Sequence, residues 1–235
     1  LEKICPLLKE YGILTVVDSV SGMFGNHMDV DKFQIDLLCG GSQKAVSAPP
    51  GLSFVTISAD AYKAMHSRKT PVASFYANIL AFDGYYEKKW FPYTMPISDI
   101  YGLRAAFNLI AGDKTLYERH ARIGSATRAA VKEAGLKLHL QSGYSNTVTV
   151  FDIPECTDAK SILDEMRTKY NIMLAGSFDE LSGKVIRIGH MGENARLEHM
   201  VPALEALSAT LTDLGVTLQG NLADLFLKHY REFQD

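Results

Sequence analysis

The strongest chemical candidate in this sequence is a single lysine, Lys44. It follows an apolar run at residues 35–39 and a Gly-Gly-Ser-Gln segment, and it precedes a Pro-Pro-Gly turn and a second apolar run at residues 52–57. This pattern predicts two buried strands joined by a tight loop that carries the lysine. Partial desolvation in such a loop favours the neutral, nucleophilic amine, so Lys44 is a candidate for Schiff-base formation.

Asp18 is the carboxylate expected to lie near Lys44. It follows the apolar run at residues 13–17, which predicts a fully buried strand that ends at the aspartate. Open α/β sheets bind ligands at the carboxyl ends of their strands, and the spacing of Asp18 and Lys44 allows one further strand between them. The two side chains form either a salt bridge or a pyridoxal phosphate site, in which the lysine binds the aldehyde and the aspartate keeps the ring nitrogen protonated.

Arg187 is the third candidate and lies in the run KVIRIGHMG, residues 184–192. Strand alternation places Ile186 and Ile188 on one face and Arg187 on the other. A guanidinium in that position either faces solvent or offers two parallel donors to the carboxylate of a ligand.

The bulk properties argue against several classes of function. The chain has 235 residues, of which 47% are apolar, enough for one or two domains with a large core. A net charge of −3 and a pI near 6.2 give no electrostatic basis for binding nucleic acid or an anionic membrane. The three cysteines lack the spacing of a zinc or disulfide site, and no segment predicts a membrane span or a signal peptide. We therefore expect a cytoplasmic protein with no metal.

Periodicity predicts the remaining elements and a division into two domains. Helices are expected at residues 1–11, 59–66, 158–170, 194–214 and 216–235, and in two stretches within 98–134. Strands are expected at residues 136–140, 147–151, 171–177 and 184–190. The long helical region leads from a first domain, residues 1–112, to a second, residues 113–235. Residues 59–95 are loop-rich and aromatic, which favours a subunit interface.

The string VVDSVSGMFGNHMDVDKFQIDLLCGGSQKAVSAPPGLSFVTIS resembles the core of the class V aminotransferases of pyridoxal phosphate fold type I. It is similar in particular to the alanine/serine-glyoxylate and ureidoglycine-glyoxylate aminotransferases. The resemblance implies an α/β fold in which residues 1–112 are the C-terminal portion of a large domain with a mostly parallel sheet. Residues 113–235 would then be a small α+β domain. The family places a substantial N-terminal part before the aspartate, whereas 17 residues precede Asp18 here.

The resemblance also implies roles for individual residues. It implies cofactor contacts from Asp18, Val20, Gln43, Lys44 and Thr94, and substrate-carboxylate binding by Arg187. Val20 would pack against the cofactor ring, and Gln43 would bind the cofactor phosphate. Thr94 would bind the phosphate of the neighbouring subunit's cofactor. Some relatives place a tyrosine where Phe91 stands, and its hydroxyl contacts the phosphate. Phenylalanine cannot make that contact, so it is either absent in this chain or taken over by Tyr93.

The resemblance implies an aminotransferase that moves an amino group from a small amino acid such as alanine or serine to a keto acid such as glyoxylate or pyruvate. Lys44 would move the proton from the substrate Cα, and the enzyme would be a homodimer with shared active sites. Two alternatives remain: a non-catalytic half-enzyme or dimerising module, and a pyridoxal phosphate-dependent lyase on the same scaffold. The sequence does not identify the amino donor, and it assigns no role to His27 or His190.

Overall fold

The computed structural model describes residues 1–233, which form two compact units. Unit 1 comprises Leu1–Val20 and Met28–Ala111, and unit 2 comprises Ser21–His27 and the described chain from Gly112 onward. The division predicted between residues 112 and 113 concerns the domains of the whole protein and remains a prediction. Within the described residues, no helix has both the length and the apolar character needed to cross a membrane.

Unit 1, all of whose residues are described, combines a small sheet with helices and a long irregular segment. Its elements are α1 (Ile4–Glu10), β1 (Val16–Asp18), β2 (Leu37–Gly41), β3 (Ser53–Ile57), α2 (Ala59–His66), a 3-10 turn (Ile79–Phe82) and α3 (Ile97–Gly112). Gly12 follows α1 with a φ of +70°, the left-handed conformation that commonly ends a helix. α2 begins at the predicted residue because the Ser58 hydroxyl accepts a hydrogen bond from the Ala61 amide.

β2 is the central strand of the unit 1 sheet. β1 pairs with it in parallel, with Asp18 opposite Cys39, and β3 pairs with it in antiparallel orientation, with Gly41 opposite Ser53. The described sheet therefore contains one parallel and one antiparallel pair of strands. The parallel pair is the one that brings the predicted aspartate and lysine to the same end.

The prediction that β1 is fully buried is wrong for the described chain. Val16 is 71% exposed, and Ile13 and Leu14 are exposed as well. β1 is hydrogen-bonded to β2 along one edge, and among the described residues no strand pairs with its other edge. β3 is also largely exposed, although its apolar sequence predicts burial. An apolar run favours a strand, but the depth of that strand depends on neighbours that the run does not specify.

Asp36, just before β2, is a buried carboxylate that ties unit 1 together. Its Oδ1 accepts hydrogen bonds from Lys9 Nζ in α1 (2.6 Å) and from Ser58 Oγ at the start of α2 (2.6 Å). Its Oδ2 accepts from the Thr15 amide (3.0 Å), just before β1. Burial opposes its ionisation, but these hydrogen bonds outweigh burial and lower the pKa of Asp36 below its ordinary value. The network holds the starts of β1 and β2, the strands that lead to the predicted site.

Unit 2 packs helices against a two-stranded sheet. Its described elements are α4 (Leu116–Glu133), β4 (Val148–Asp152), α5 (Ala159–Tyr170), β5 (Val185–Gly189), α6 (Leu197–Asp213) and α7 (Leu222–Glu232), with 3-10 turns at Asp179–Leu181 and Gly192–Asn194. α5 begins after Asp158, whose carboxylate caps the helix by accepting a hydrogen bond from the Ser161 amide. The predicted tail helix is α7, and the last two residues of that prediction lie outside the described residues.

The core of unit 2 lies under β5. Ile186 and Ile188 are buried, which confirms the alternation predicted for this strand, and they pack in one cluster with Phe151 of β4 and Phe226 of α7. Arg187 between them is only half-buried. The alternation therefore leaves the guanidinium on the face away from the core.

Two strands predicted for unit 2 are wrong. Residues 136–140 contribute a single bridge, between Leu138 and Phe151, and residues 171–177 contribute another, between Ala175 and Arg187. Leu136, Leu138, Ile172 and Leu174 pack against the core without forming a continuous ladder, whereas Leu140 and Met173 are exposed. Their alternation reflects this packing, which period-2 patterns cannot distinguish from strand pairing.

The segment Ser21–His27 joins unit 2 although it follows β1 in the chain. A Cβ atom on Gly25 would collide with the Thr147 side chain, so the glycine permits close packing. The Asn26 side chain donates to Ser145 Oγ (3.1 Å) and accepts from the Asn146 amide (3.1 Å). These contacts fix the loop that follows Val20.

Candidate active site

The Lys44 loop is closed by hydrogen bonds around Ser42. The Ala48 amide donates to the Ser42 carbonyl (3.0 Å), and the Ser42 hydroxyl donates to the Pro49 carbonyl (2.6 Å). Lys44 is half-buried, and its carbonyl accepts from the Ser47 amide (2.9 Å). Ser47 has a φ of +59°, a left-handed conformation typical of tight turns. The predicted tight loop is therefore present, with the Lys44 backbone held by its own turn.

Asp18 and the Lys44 loop lie at the same edge of the unit 1 sheet. Asp18 is the last residue of β1, and Lys44 closely follows Gly41, the last residue of β2. Because β1 and β2 are parallel, their carboxyl ends meet at one edge. The Asp18 carboxylate is exposed and accepts a hydrogen bond from the Val20 amide (3.0 Å). Among the described residues no ion pair joins Asp18 to Lys44, so the salt-bridge alternative has no support in this geometry.

Gly41 lies on the same face of the sheet as Asp18 and is covered by two neighbouring side chains. Register and alternation place Asp18, Cys39 and Gly41 on the same face of the sheet. A Cβ atom on Gly41 would lie 2.9 Å from Gln43 Oε1 and 3.3 Å from Val20 Cγ1. The side chains of Val20 and Gln43 therefore converge over the glycine, on the face that carries Asp18.

The residues at this edge fit pyridoxal phosphate by their chemistry. Asp18 offers a carboxylate for the ring nitrogen, and Lys44 offers an amine for the aldehyde. Val20 presents a stiff apolar side chain suited to a flat ring, and the Gln43 amide can donate to a phosphate. Because Gly41 has no side chain, the side chains of Val20 and Gln43 can lie directly over its backbone. The individual roles of these residues remain predictions.

Thr94 lies elsewhere in unit 1, in the segment that leads into α3. Its side chain is exposed, and no hydrogen bond in the described chain links it to Asp18 or Lys44. The resemblance gives Thr94 a role at the neighbouring subunit's cofactor. Its exposed position is compatible with that role, which stays a prediction.

Arg187 is anchored within unit 2 by its neighbours on the strand edge. Its amide donates to the Ala175 carbonyl (2.7 Å), and its Nε donates to the Gly176 carbonyl (2.5 Å). The guanidinium carbon lies 6.0 Å from the centre of the Phe178 ring. Because Nε is held by a backbone carbonyl, the two terminal nitrogens have a fixed direction, as two-point binding of a carboxylate requires.

His190 is a structural residue of unit 2. It is buried, with Nδ1 3.0 Å from the Asn146 carbonyl and Nε2 2.8 Å from Thr149 Oγ1. Burial lowers the pKa of His190 to about 4, so the ring is neutral at physiological pH. His27, the other histidine without a predicted role, packs edge-on against Tyr117 with ring centroids 5.6 Å apart.

Three residues of structural importance escaped sequence reasoning. Gly41 makes room for the side chains of Val20 and Gln43, and Ser42 closes the Lys44 loop. His120 is buried, donates from Nδ1 to the Leu116 carbonyl (2.7 Å) and accepts at Nε2 from the amide of Gly192 (2.9 Å), in the loop that follows β5. The Gly-Gly-Ser triplet before Lys44 was the available signal for the first two, since glycine at a strand end often marks close approach of a ligand. A single histidine within α4 gave no comparable signal.

Comparison with known proteins finds relatives along most of the chain. The family model described as Aminotransferase class-V matches residues 1–167. The chain belongs to the class-V aminotransferase family. An uncharacterized aminotransferase of Methanocaldococcus jannaschii is 36% identical, over 92% of this chain and 56% of its own length. The serine–glyoxylate aminotransferase of Arabidopsis thaliana is 35% identical over the same two shares. The crystal structure of ureidoglycine–glyoxylate aminotransferase from Bacillus subtilis has a TM-score of 0.91 at 29% identity, and the match covers 98% of this chain and 61% of that one.

These matches confirm the predicted family and fold. The class-V aminotransferase chain has the α/β fold of the pyridoxal phosphate fold type I enzymes, and family membership implies pyridoxal phosphate as the cofactor. The chain spans a little over half the length of the curated relatives it matches. The activity, substrates and partners of those longer proteins therefore do not transfer to it without further argument.

Proposed function

We propose that this class-V aminotransferase chain belongs to a pyridoxal phosphate-dependent enzyme that moves an amino group from a small amino acid to a keto acid. The observation that carries the proposal is the shared sheet edge, where β1 ends in Asp18 and a closed loop after β2 presents Lys44. Relatives named serine–glyoxylate and alanine–glyoxylate aminotransferase support serine or alanine as the donor and glyoxylate as the acceptor. A solved structure named pyridoxamine–pyruvate aminotransferase supports pyruvate as a second acceptor.

The proposed chemistry divides between the residues of the sheet edge and Arg187. Bound pyridoxal phosphate would supply an electron sink for the electron pair left on the substrate Cα. Lys44 would hold the aldehyde in the resting site and, once released, take the proton from Cα. Asp18 would keep a proton on the ring nitrogen and so maintain the positive charge of the ring. Arg187 would bind the substrate carboxylate with its two terminal nitrogens, which orients the Cα proton.

The remaining predicted residues would hold the cofactor in place. Val20 would cover one face of the ring, and Gln43 and Thr94 would donate hydrogen bonds to the phosphate. Thr94 would do so across a homodimer interface, which gives two shared sites per dimer. We place this dimer in the cytoplasm. Purified dimers that mix Lys44→Ala chains with Thr94→Ala chains test the sharing, because each mixed dimer regains one complete site. At a pyridoxal phosphate concentration that leaves the Thr94→Ala sites largely empty, the mixed dimer should exceed both parent variants in activity.

Borohydride trapping on the purified protein tests the central assignment. With pyridoxal phosphate bound, reduction should fix the cofactor covalently on the peptide that contains Lys44, as measured by mass spectrometry. Lys44→Ala should lose both the trapped adduct and the yellow absorbance. Lys63→Ala, which removes an exposed lysine of α2, should keep both. Trapping at other lysines in place of Lys44 would reject the assignment.

Single-turnover reactions then distinguish the proposal from its alternatives. Transamination predicts that alanine or serine bleaches the bound cofactor and that glyoxylate or pyruvate restores its absorbance. A lyase would release product continuously without a keto acid. A non-catalytic module would show neither change, and this result would remove the enzyme proposal altogether.

A further inference from the structure

The aromatic segment that carries Thr94 is organised around Tyr93. The Tyr93 ring stacks on Tyr76 with centroids 4.8 Å apart. Edge-on contacts join it to Phe75 (5.4 Å), Phe82 (5.5 Å) and Phe91 (6.3 Å). We refer to these five residues as the aromatic cluster. Such edge-on and stacked pairs each add to the packing energy of the rings, so Tyr93 is firmly held.

The hydroxyl group of Tyr93 is used inside the same cluster. It donates to the Phe75 carbonyl (3.1 Å), with the Tyr76 carbonyl at 3.4 Å. A phenol has one proton to donate, and a phosphate oxygen needs a donor. The phosphate contact that Phe91 cannot make is therefore not taken over by Tyr93 in this arrangement. Its hydroxyl instead joins the segment before Thr94 to the turn at Phe75 and Tyr76.

Thr94 follows this anchor directly and is exposed. Pro92 lies before Tyr93, and Pro96 lies just before α3, which begins at Ile97. Proline fixes its own φ and restricts the residue that precedes it, so the backbone on both sides of Thr94 has little freedom. The Thr94 hydroxyl is thus presented from a segment held by the cluster on one side and by a helix on the other.

We propose that Tyr93 is a positioning residue that holds the Thr94 hydroxyl ready to donate to the cofactor phosphate. This inference rests on the proposed function, because Thr94 has a phosphate to bind only if pyridoxal phosphate is the cofactor. A donor that is already ordered loses less entropy on binding than one on a free loop. Tyr93 therefore affects recognition of the phosphate and leaves recognition of the ring and aldehyde unchanged.

Affinity for the cofactor with and without its phosphate tests this role. Dissociation constants of pyridoxal phosphate and of pyridoxal are measured on the purified protein by absorbance titration. Tyr93→Phe keeps the ring and removes the hydroxyl, and we expect a dissociation constant for pyridoxal phosphate about 3- to 10-fold higher, the effect of one hydrogen bond. The constant for pyridoxal should not change. Tyr62→Phe is the matched control, because it removes a hydroxyl that donates to Asp83 (2.8 Å) in the same unit, and it should alter neither constant.

A Thr94→Ala background shows whether Tyr93 acts through Thr94. In that background, Tyr93→Phe should have no further effect on either constant. Tyr76→Ala provides a second route if Tyr93→Phe does not fold, since Tyr76 is 80% exposed and its loss removes the stacked ring. Tyr76→Ala should also raise the dissociation constant for pyridoxal phosphate and leave the constant for pyridoxal unchanged.

The outcomes separate this inference from the proposed function. Three outcomes overturn the role of Tyr93 and leave the proposed function intact. Tyr93→Phe weakens the binding of pyridoxal phosphate and pyridoxal equally, it weakens the binding of neither, or its effect is undiminished in the Thr94→Ala background. A native protein that binds neither ligand overturns both.

Discussion

Replacement of Asp36 by asparagine tests how the sheet edge is held in place. The substitution keeps the side-chain shape but turns one acceptor oxygen into a donor group. Oδ1 accepts from Lys9 and Ser58, and Oδ2 accepts from the Thr15 amide. In either orientation, the new NH2 group therefore faces a hydrogen-bond donor, which is Lys9 and Ser58 on one side or the Thr15 amide on the other. At least one hydrogen bond is lost, and at least one buried donor is left without an acceptor.

The expected loss of unfolding free energy is about 3 kcal/mol. Removing one partner of a buried ion pair typically costs about 3 to 5 kcal/mol. The Asp36 side chain is fully buried, but Lys9 is 28% exposed and keeps Asp60 as a second partner at 2.9 Å. Because Lys9 is not left as an isolated buried charge, we expect the lower end of that range. In the orientation that keeps an acceptor oxygen for Lys9 and Ser58, the unsatisfied amide of Thr15 supplies most of the cost.

Urea unfolding at pH 7 measures this loss. Trp90 is the chain's one tryptophan and lies in unit 1, so its fluorescence reports the unit that contains Asp36. Asp60→Asn is the matched control, since it removes the exposed partner of the same lysine and should cost less than about 1 kcal/mol. If Asp36→Asn lost no more stability than Asp60→Asn, the carboxylate would not be the anchor described here.

The same substitution should reduce the acid sensitivity of unit 1. The pKa of Asp36 is lowered from 3.8 in the folded protein, so the folded state binds a proton less readily than the unfolded state. The carboxylate therefore stabilises the fold fully above pH 3.8, and this contribution disappears as the pH falls through the lower folded value. In the Asp36→Asn variant, the unfolding free energy should therefore fall less steeply with decreasing pH below 3.8. The same pH dependence in both proteins would contradict the role given to Asp36.

Three further predictions concern the candidate site and its support. Gly41→Ala should raise the dissociation constant for pyridoxal phosphate about 3- to 10-fold, the effect of one hydrogen bond, because the new methyl group would lie 2.9 Å from Gln43 Oε1 and displace the Gln43 side chain. Gly112→Ala has open space and should change nothing in the same titration. Arg187→Lys should raise the KM for the amino acid at least tenfold with cofactor absorbance unchanged, since an ammonium cannot reproduce the two parallel donors, and an unaltered KM would remove Arg187 from the substrate site. Buried His190 should contribute a fall in native stability of about 3 kcal/mol between pH 6.5 and about 4, because the unfolded state gains a proton that His190 does not accept. His190→Gln should reduce the fall measured by thermal unfolding across that range by this amount, and the part that remains includes His120, whose pKa is also lowered by burial.

The sequence was sufficient to predict that Asp18 and the Lys44 loop lie at the same edge of one sheet. Asp18 and Lys44 are both defined by short local patterns, an apolar run that ends in a charge and an apolar run that ends in a glycine-rich turn. Parallel pairing of the two strands then brings their ends together without further information. This is why local periodicity, together with the resemblance, located these residues before the fold was known.

Burial and pairing were less predictable because they depend on partners that are distant in sequence. The run at residues 13–17 forms a strand, yet Val16 is 71% exposed, because its burial depends on what lies against β1. Residues 136–140 and 171–177 alternate like strands, but they join their neighbours through single bridges. The anchoring role of Asp36 was invisible for the same reason, since Lys9, Thr15 and Ser58 meet it only after folding.

The residues proposed to touch the cofactor differ in how their positions are determined. Asp18 and Lys44 are fixed by backbone geometry, one by strand pairing and the other by the hydrogen bonds of a closed loop. Thr94 is fixed by side chains, through a cluster in which Tyr93 supplies both the ring contacts and the hydrogen bonds. Backbone hydrogen bonds persist when neighbouring side chains change, whereas a packed cluster loses contacts with every ring that is removed from it. Substitutions near Thr94 should therefore alter phosphate affinity long before substitutions of similar size around Lys44 alter attachment of the aldehyde.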